Sequence, residues 1–299
     1  MPATYNDLYL DARKALKGMG VEQAQLEARE LLCLASGKSR EELLRDLPLY
    51  APDGPAARFR ELMGRRLAGE PVAYLIGEWE FYGLTLEVTR DVLIPRPDTE
   101  TVVERGILSL RDLPDGARVL DLCAGSGCIG LAIAENCLNA HVILAEWSED
   151  ALRVARQNIL RCGLSQQVSA AQVDALEPPP RLLRDFDLIL CNPPYIPTLE
   201  VARLDPSVRD YEPRLALDGG EDGLKFYRAV AKKWKAALKP GGKLIFEVGY
   251  DQAIAVKRIL AQNGYEGVQT TMDPGMHWRV VEGSVPVPVT EEGSGEETV

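Results

Sequence analysis

Four consecutive residues, Asn192-Pro193-Pro194-Tyr195, hold the most specific chemistry in the chain. They follow Phe186-Asp187-Leu188-Ile189-Leu190-Cys191, an apolar run of strand length with a single charge. Neither proline can donate to a sheet ladder, so the strand stops at Asn192. A residue before proline is held extended, which fixes Asn192 and Pro193 and keeps their carbonyls out of any helix ladder. An amide side chain, two carbonyls and an aromatic ring are thereby set at the carboxyl end of a strand, the edge at which open α/β sheets bind ligands. Such a set suits a planar amino group: oxygens accept its N–H bonds and a ring covers its face.

A second constellation lies upstream. Arg118-Val119-Leu120-Asp121-Leu122 reads as a strand, followed by Cys123-Ala124-Gly125-Ser126-Gly127-Cys128-Ile129-Gly130 and a helix from Leu131 to Asn136. Gly125 to Gly130 spell G-x-G-x-x-G, in which glycines let a ligand approach the backbone closely at a helix N-terminus. Asp121 stands at the strand end, where it could meet a cationic ammonium group. The next strand, His141 to Ala145, leads into Glu146, 19 residues after Gly127, where a carboxylate can take both ribose hydroxyls. By itself this loop also fits an NAD-dependent oxidoreductase.

Asn-Pro-Pro-Tyr after an apolar strand resembles the signature of S-adenosylmethionine-dependent methyltransferases that modify planar nitrogens. Glu80-Phe81-Tyr82-Gly83 followed by Ile94-Pro95-Arg96-Pro97-Asp98-Thr99-Glu100 is more specific, and closely resembles the HemK/PrmC family. Ala216-Leu217-Asp218-Gly219-Gly220-Glu221-Asp222-Gly223-Leu224 matches that family too, so the likeness runs over roughly residues 5 to 283. The resemblance implies N5-methylation of the glutamine in the Gly-Gly-Gln loop of peptide chain release factors, with S-adenosyl-L-methionine as cofactor. It implies cofactor contacts from Asp121, Cys123, Ala124, Gly125, Ser126, Gly127, Glu146, Asp174, Ala175 and Asn192. Asp174 would meet the adenine amino group and Ala175 would line the ring; Trp147, beside Glu146, either packs on the adenine edge or has a core or surface role. Asn192, Pro193 and Tyr195 are the expected catalytic residues; with Pro194 and Arg96 they form the expected substrate site. The family more often has aspartate where Glu146 stands and an aromatic residue where Ala175 stands. The runner-up, methylation of an adenine or guanine amino group in nucleic acid, uses the same four-residue motif.

The elements that must position these residues follow from periodicity. Residues 5 to about 70 show helical spacing, with Leu8, Ala12, Leu16 and Met19 on one face and Ala24, Ala28, Leu31, Leu32 and Ala35 on another. Ser39 and Glu42 form a capping box. A fourth helix, Ala56 to Leu67, carries Arg58, Arg60, Arg65 and Arg66, either a solvated face or a contact surface for an acidic or RNA-like partner. Residues 1–75 are expected to form a helical substrate-recognition domain and 76–100 a β-hairpin linker opened by Gly69-Glu70-Pro71. Two prolines flank Arg96 and aim it, and Asp98 or Thr99 can cap the helix Glu100 to Leu110.

Alternating strands and helices after residue 100 predict an α/β fold: a doubly wound, seven-stranded sheet of the class I methyltransferase type over 101–284. Within it Val168 to Gln172 is a strand, Ile196 to Asp218 a long functional loop, Phe226 to Leu238 a helix and Lys243 to Val248 a strand. An antiparallel pair, Val268 to Met272 and His277 to Glu282, follows. Residues 285–299 read as a disordered tail.

The net charge is −11, and residues 1–75 carry equal numbers of acids and bases, so the excess lies in the catalytic part. That argues against naked nucleic acid as partner, because phosphate neutralisation drives such binding. The six cysteines form no C-x-x-C pair and there are two histidines, which argues against a zinc site and for a reducing compartment. Without an 18-residue apolar run or a signal peptide, the expectation is a cytoplasmic, monomeric enzyme that binds no membrane.

Overall fold

The computed structural model describes residues 3–111 and 113–288. Five helices come first: α1 (Tyr5–Gly18), α2 (Ala24–Ser36), α3 (Arg40–Asp46), α4 (Asp53–Leu67) and α5 (Val72–Ile76). Their apolar faces close on one another, with Leu8, Ala12 and Leu16 of α1 meeting Ala28, Leu31 and Leu32 of α2 and Phe59 and Met63 of α4. The Ser39–Glu42 capping box forms at the start of α3, and a second one, Thr4 with Asp7, starts α1. Met19, expected on the buried face of α1, is 48% exposed, because the helix ends at Gly18 and Met19 is its C-cap. Helix α5 is too short to carry a readable period. Of the four arginines on α4, Arg65 pairs with Glu70 and Arg66 with Glu27, while Arg58 and Arg60 face solvent.

A hairpin follows, β1 (Glu78–Phe81) against β2 (Leu84–Glu87). Its turn residues Tyr82 and Gly83 have φ of 48° and 80°, the left-handed pair that matches the twist of two-residue hairpins. The remaining elements are α6 (Glu100–Leu110), β3 (Arg118–Leu122), α7 (Cys128–Asn136), β4 (His141–Glu146), α8 (Glu149–Arg161), β5 (Val168–Gln172), β6 (Phe186–Cys191), α9 (Thr198–Val201), α10 (Pro206–Arg209), α11 (Lys225–Lys233), β7 (Leu238–Glu247), α12 (Ala253–Gln262), β8 (Glu266–Met272) and β9 (Trp278–Ser284).

The strands form the expected seven-stranded sheet, in the order β5-β4-β3-β6-β7-β9-β8. All neighbours are parallel except β9, which runs antiparallel to β7 and β8. Both faces are covered, so alternate strand residues enter different cores. Leu120, Leu122, Ile189 and Phe246 pack under Tyr227 and Trp234 of the α11 side. Val119, Leu188, Leu190 and Ile245 pack under Val102, Leu131 and Ile133 of α6 and α7. The chain winds outward from β3 to β5 and then returns to the other side of β3 as β6. That reversal opens a crevice between the carboxyl ends of β3 and β6.

The largest differences from the expected boundaries are at α11 and β7. Helix α11 stops at Lys233 and gives way to a tight turn of 3-10 helix, Trp234–Ala237. Strand β7 then starts at Leu238 and runs through Pro240-Gly241-Gly242; a register shift between Phe186 and Leu188 absorbs the proline. Val285 is not free tail: it donates to the Gly242 carbonyl and accepts from the Gly241 N–H, each at 2.9 Å. The rest of the expected tail, from residue 289, lies outside the described residues. Among the described residues no helix is long and apolar enough to cross a membrane.

Candidate active site

A cavity of about 820 Å³ opens at the crevice, a volume typical of a cofactor site. Its wall brings together Cys123, Ala124, Gly125, Ser126, Glu146, Trp147, Asp174, Ala175, Asn192, Pro194 and Arg96. These come from the ends of β3, β4, β5 and β6 and from the segment before α6. Asp121, Gly127, Pro193 and Tyr195 are not part of that wall.

The glycine-rich loop is built from the backbone outward. Cys123 and Ala124 both donate to the Ala145 carbonyl, at 2.9 and 3.2 Å, which staples the loop to β4. Cys123 has φ of 64°, a conformation that favours glycine, and Gly127 takes the left-handed N-cap position of α7. The Glu146 side chain turns back on this loop. One carboxylate oxygen accepts the Gly125 N–H at 2.9 Å and the other the Ser148 N–H at 2.8 Å. Each oxygen keeps lone-pair capacity for a ligand hydroxyl. Asp174 accepts the Leu176 N–H at 2.8 Å, and the Ala175 carbonyl accepts the Trp234 indole N–H at 3.0 Å, so the β5 end is held equally firmly.

Asp121 sits behind the loop rather than in the cavity wall. It is fully buried, and its Oδ2 accepts the Gly130 N–H at 2.8 Å, locking loop to helix. Its Oδ1 has no hydrogen-bond partner among the described residues. Burial pushes its carboxyl up to about 7, against the pull of the Gly130 bond and with some help from the Glu146 charge. A carboxyl raised in the folded protein holds its proton more tightly there than in the unfolded chain, so its contribution to stability falls as pH rises from about 4 to about 7. Asp121→Asn is therefore expected to gain stability over the parent as pH rises, by a few kcal/mol at about 1.4 per pH unit. Urea unfolding of both at pH 5 and pH 8 checks this; an equal difference at the two pH values would refute it.

The Asn192 corner is held from several sides. Asn192 Nδ2 donates to Thr99 Oγ1 at 3.4 Å. This corrects the expected cap: α6 has no side-chain cap, Thr99 turns to Asn192, and Asp98 pairs with Arg279 at 2.8 Å. Tyr195 packs against the core rather than lining the cavity, and burial pushes its hydroxyl up to about 12. Its carbonyl accepts Gln252 Nε2–H at 2.9 Å. Arg96 is paired with buried Glu212, which also accepts the Ile94 N–H at 3.2 Å. That pair fastens the long loop after Tyr195 to the segment before α6.

Asn158 was not singled out by motif. It is fully buried on α8, accepts the Glu87 N–H at 2.7 Å and donates to the carbonyls of Glu87 and Ser126, each at 3.0 Å. One amide thus ties the hairpin to the glycine loop. Its only trace in the sequence is a polar residue on an apolar helix face, beside Ala155 and Ile159.

Comparison with known proteins agrees over most of the chain. Residues 7–77 match the PrmC N-terminal domain and residues 106–204 the methyltransferase small domain. The release factor glutamine methyltransferase of Geobacter sulfurreducens is 42% identical over 275 residues, covering 91% of this chain and 94% of that one. That of Moorella thermoacetica is 41% identical, covering 88% and 92%. Among solved structures, the hMettl16 catalytic domain in complex with MAT2A 3′UTR hairpin 6 is 19% identical with a TM-score of 0.55, covering 79% of this chain and 84% of that one, a likeness of fold alone.

Proposed function

Since the chain belongs to the family of release factor glutamine methyltransferases, we propose that it transfers a methyl group from S-adenosyl-L-methionine to the side-chain nitrogen of the glutamine in a release factor's Gly-Gly-Gln loop. The observation that carries this is a shared cavity wall: Asn192 and Pro194 face the same space as the Cys123–Ser126 loop, Glu146 and Asp174.

The residues present fit the cofactor. Glu146 offers acceptors to the ribose hydroxyls and Asp174 to the adenine amino group, with Ala175 against the ring. The loop backbone leaves room for the methionine tail, and Asp121 behind it, with one oxygen unpartnered, favours a cationic group. When bound, S-adenosyl-L-methionine supplies a methyl group on a positively charged sulfur.

The protein's part is placement. A carboxamide nitrogen is a poor nucleophile because its lone pair is delocalised into the carbonyl. The side-chain oxygen of Asn192, which lines the cavity, accepts its N–H, and Tyr195, packed in the core behind, holds the corner in place. Holding the nitrogen in line favours pyramidalisation and contributes on the order of 7 kcal/mol. Acceptors aimed at the developing positive charge add to it. The proton lost after transfer leaves to solvent. Arg96 is assigned to the substrate side of the cavity, and the helical segment before β1 to recognition of the release factor.

Incubating the protein with methyl-labelled cofactor, a purified release factor and, separately, DNA and tRNA tests the reading. Label on the glutamine of the release factor is expected. Label on nucleic acid instead would overturn it in favour of base methylation.

A further inference from the structure

The mechanism above uses Asn192 but leaves its buried neighbour on the next strand without a task. Glu247 ends β7 and is 2% exposed, and its Oε2 has no hydrogen-bond partner among the described residues. The β6–β7 register pairs Cys191 with Phe246, so Asn192 and Glu247 are the next residues along this ladder. The Asn192 amide and the Thr99 hydroxyl are polar side chains that face its carboxyl. A buried, incompletely satisfied carboxylate is costly, and a sheet has no need of one.

An asparagine amide has two ends of nearly equal shape, one a donor and one an acceptor, and its neighbours decide which way it turns. An ionised carboxylate only accepts. Whichever end of Asn192 meets Glu247 must therefore be the NH2, and Thr99 Oγ1 accepts from the same nitrogen at 3.4 Å. An NH2 turned toward Thr99 and Glu247 leaves the oxygen for the cavity.

We propose that Glu247 is a positioning residue: its carboxylate holds the NH2 of Asn192, so that Asn192 presents oxygen, not nitrogen, to the incoming carboxamide. This rests on the reading of Asn192 as substrate acceptor. Once protonated, the same carboxyl can donate, and the discrimination between the two ends of the amide weakens. Burial pushes Glu247 up to about 7. The groups that face it are Asp98 and Thr99 before α6, Cys128 on α7, Asn192 and Tyr195 after β6, Tyr227 on α11 and Arg279 on β9. Turnover should accordingly rise with pH through neutrality.

The test is Glu247→Gln in the full chain, assayed with release factor and S-adenosyl-L-methionine. Glutamine keeps the shape but can offer either end. The expected result is a kcat lowered about tenfold or more, with KM for the release factor and cofactor affinity by calorimetry within about threefold, and with the rise of kcat through neutral pH abolished. Glu247→Asp keeps an acceptor-only group and should retain more kcat than the glutamine variant. A glutamine variant with parental kcat and a parental pH profile, or one more active than the aspartate variant, overturns the proposal. If Asn192→Ala is inactive in that case, only the role of Glu247 falls; if Asn192→Ala is also active, the functional reading falls with it.

Discussion

Asn192→Ala is expected to lower kcat for release factor methylation by at least about a hundredfold, the scale on which removal of one preorganised polar group slows a charged transition state. The fold should survive. Asn192 lies beyond the last residue of β6, and its side-chain bond to Thr99 is a long one at 3.4 Å. Losing such a bond costs about 1 kcal/mol. Cofactor affinity should change far less than turnover, because Glu146 and Asp174 reach the cavity from different strands and are anchored by backbone N–H groups. The three readouts are kcat with saturating release factor, cofactor binding by calorimetry, and the urea midpoint. Activity within a few-fold of the parent would show that the Asn192 amide does not hold the substrate nitrogen.

The catalytic half was legible because parallel strands covered on both faces read as short apolar runs. Arg118–Leu122, His141–Glu146 and Phe186–Cys191 each begin and end within a residue or two of expectation, and the ligand-facing residues sit directly after them. What the sequence hid depends on partners remote in the chain. Glu212 meets Arg96 across 116 positions and Asn158 meets Glu87 across 71, and neither pairing has a local signal. The cap of α6 was misassigned for the same reason: Asp98 and Thr99 have the right chemistry for a cap, but Arg279 and Asn192 compete for them and win. The path of β7 through Pro240 was invisible because it is imposed by pairing with β6 and β9 rather than by propensity. Glu146 shows how a departure from a motif is absorbed: the longer side chain bends back to bond Gly125 and Ser148 and still lines the cavity.

The Ala216–Leu224 motif owes its glycines to this corner, and Gly223→Ala is expected to remove both activity and a large share of stability. The Ile196 N–H donates to the Leu217 carbonyl at 3.0 Å, the Gly219 N–H to the Ile196 carbonyl at 2.8 Å, and the Thr198 N–H to the Gly220 carbonyl at 2.9 Å. The segment therefore lies flat on the backbone that continues from Tyr195. A Cβ on Gly223 would fall 2.3 Å from the Tyr195 carbonyl oxygen and 2.6 Å from Gln252 Nε2, the atom that donates to that oxygen. The φ of Gly223 is +73°, so strain adds to the clash. Together they should cost roughly 2–4 kcal/mol. Because the clash is with backbone, relief must come from moving Tyr195, and the Asn192 oxygen two prolines away moves with it. Displacements of about 1 Å in a positioned site slow reactions about a hundredfold. Gly163→Ala is the control: φ is +71°, yet nothing lies within 4 Å of its Cβ, so only the backbone strain, on the order of 1 kcal/mol, should appear and activity should persist. If the two variants behaved alike in urea midpoint and kcat, close packing of the glycine segment on Tyr195 could not be what holds the corner in place.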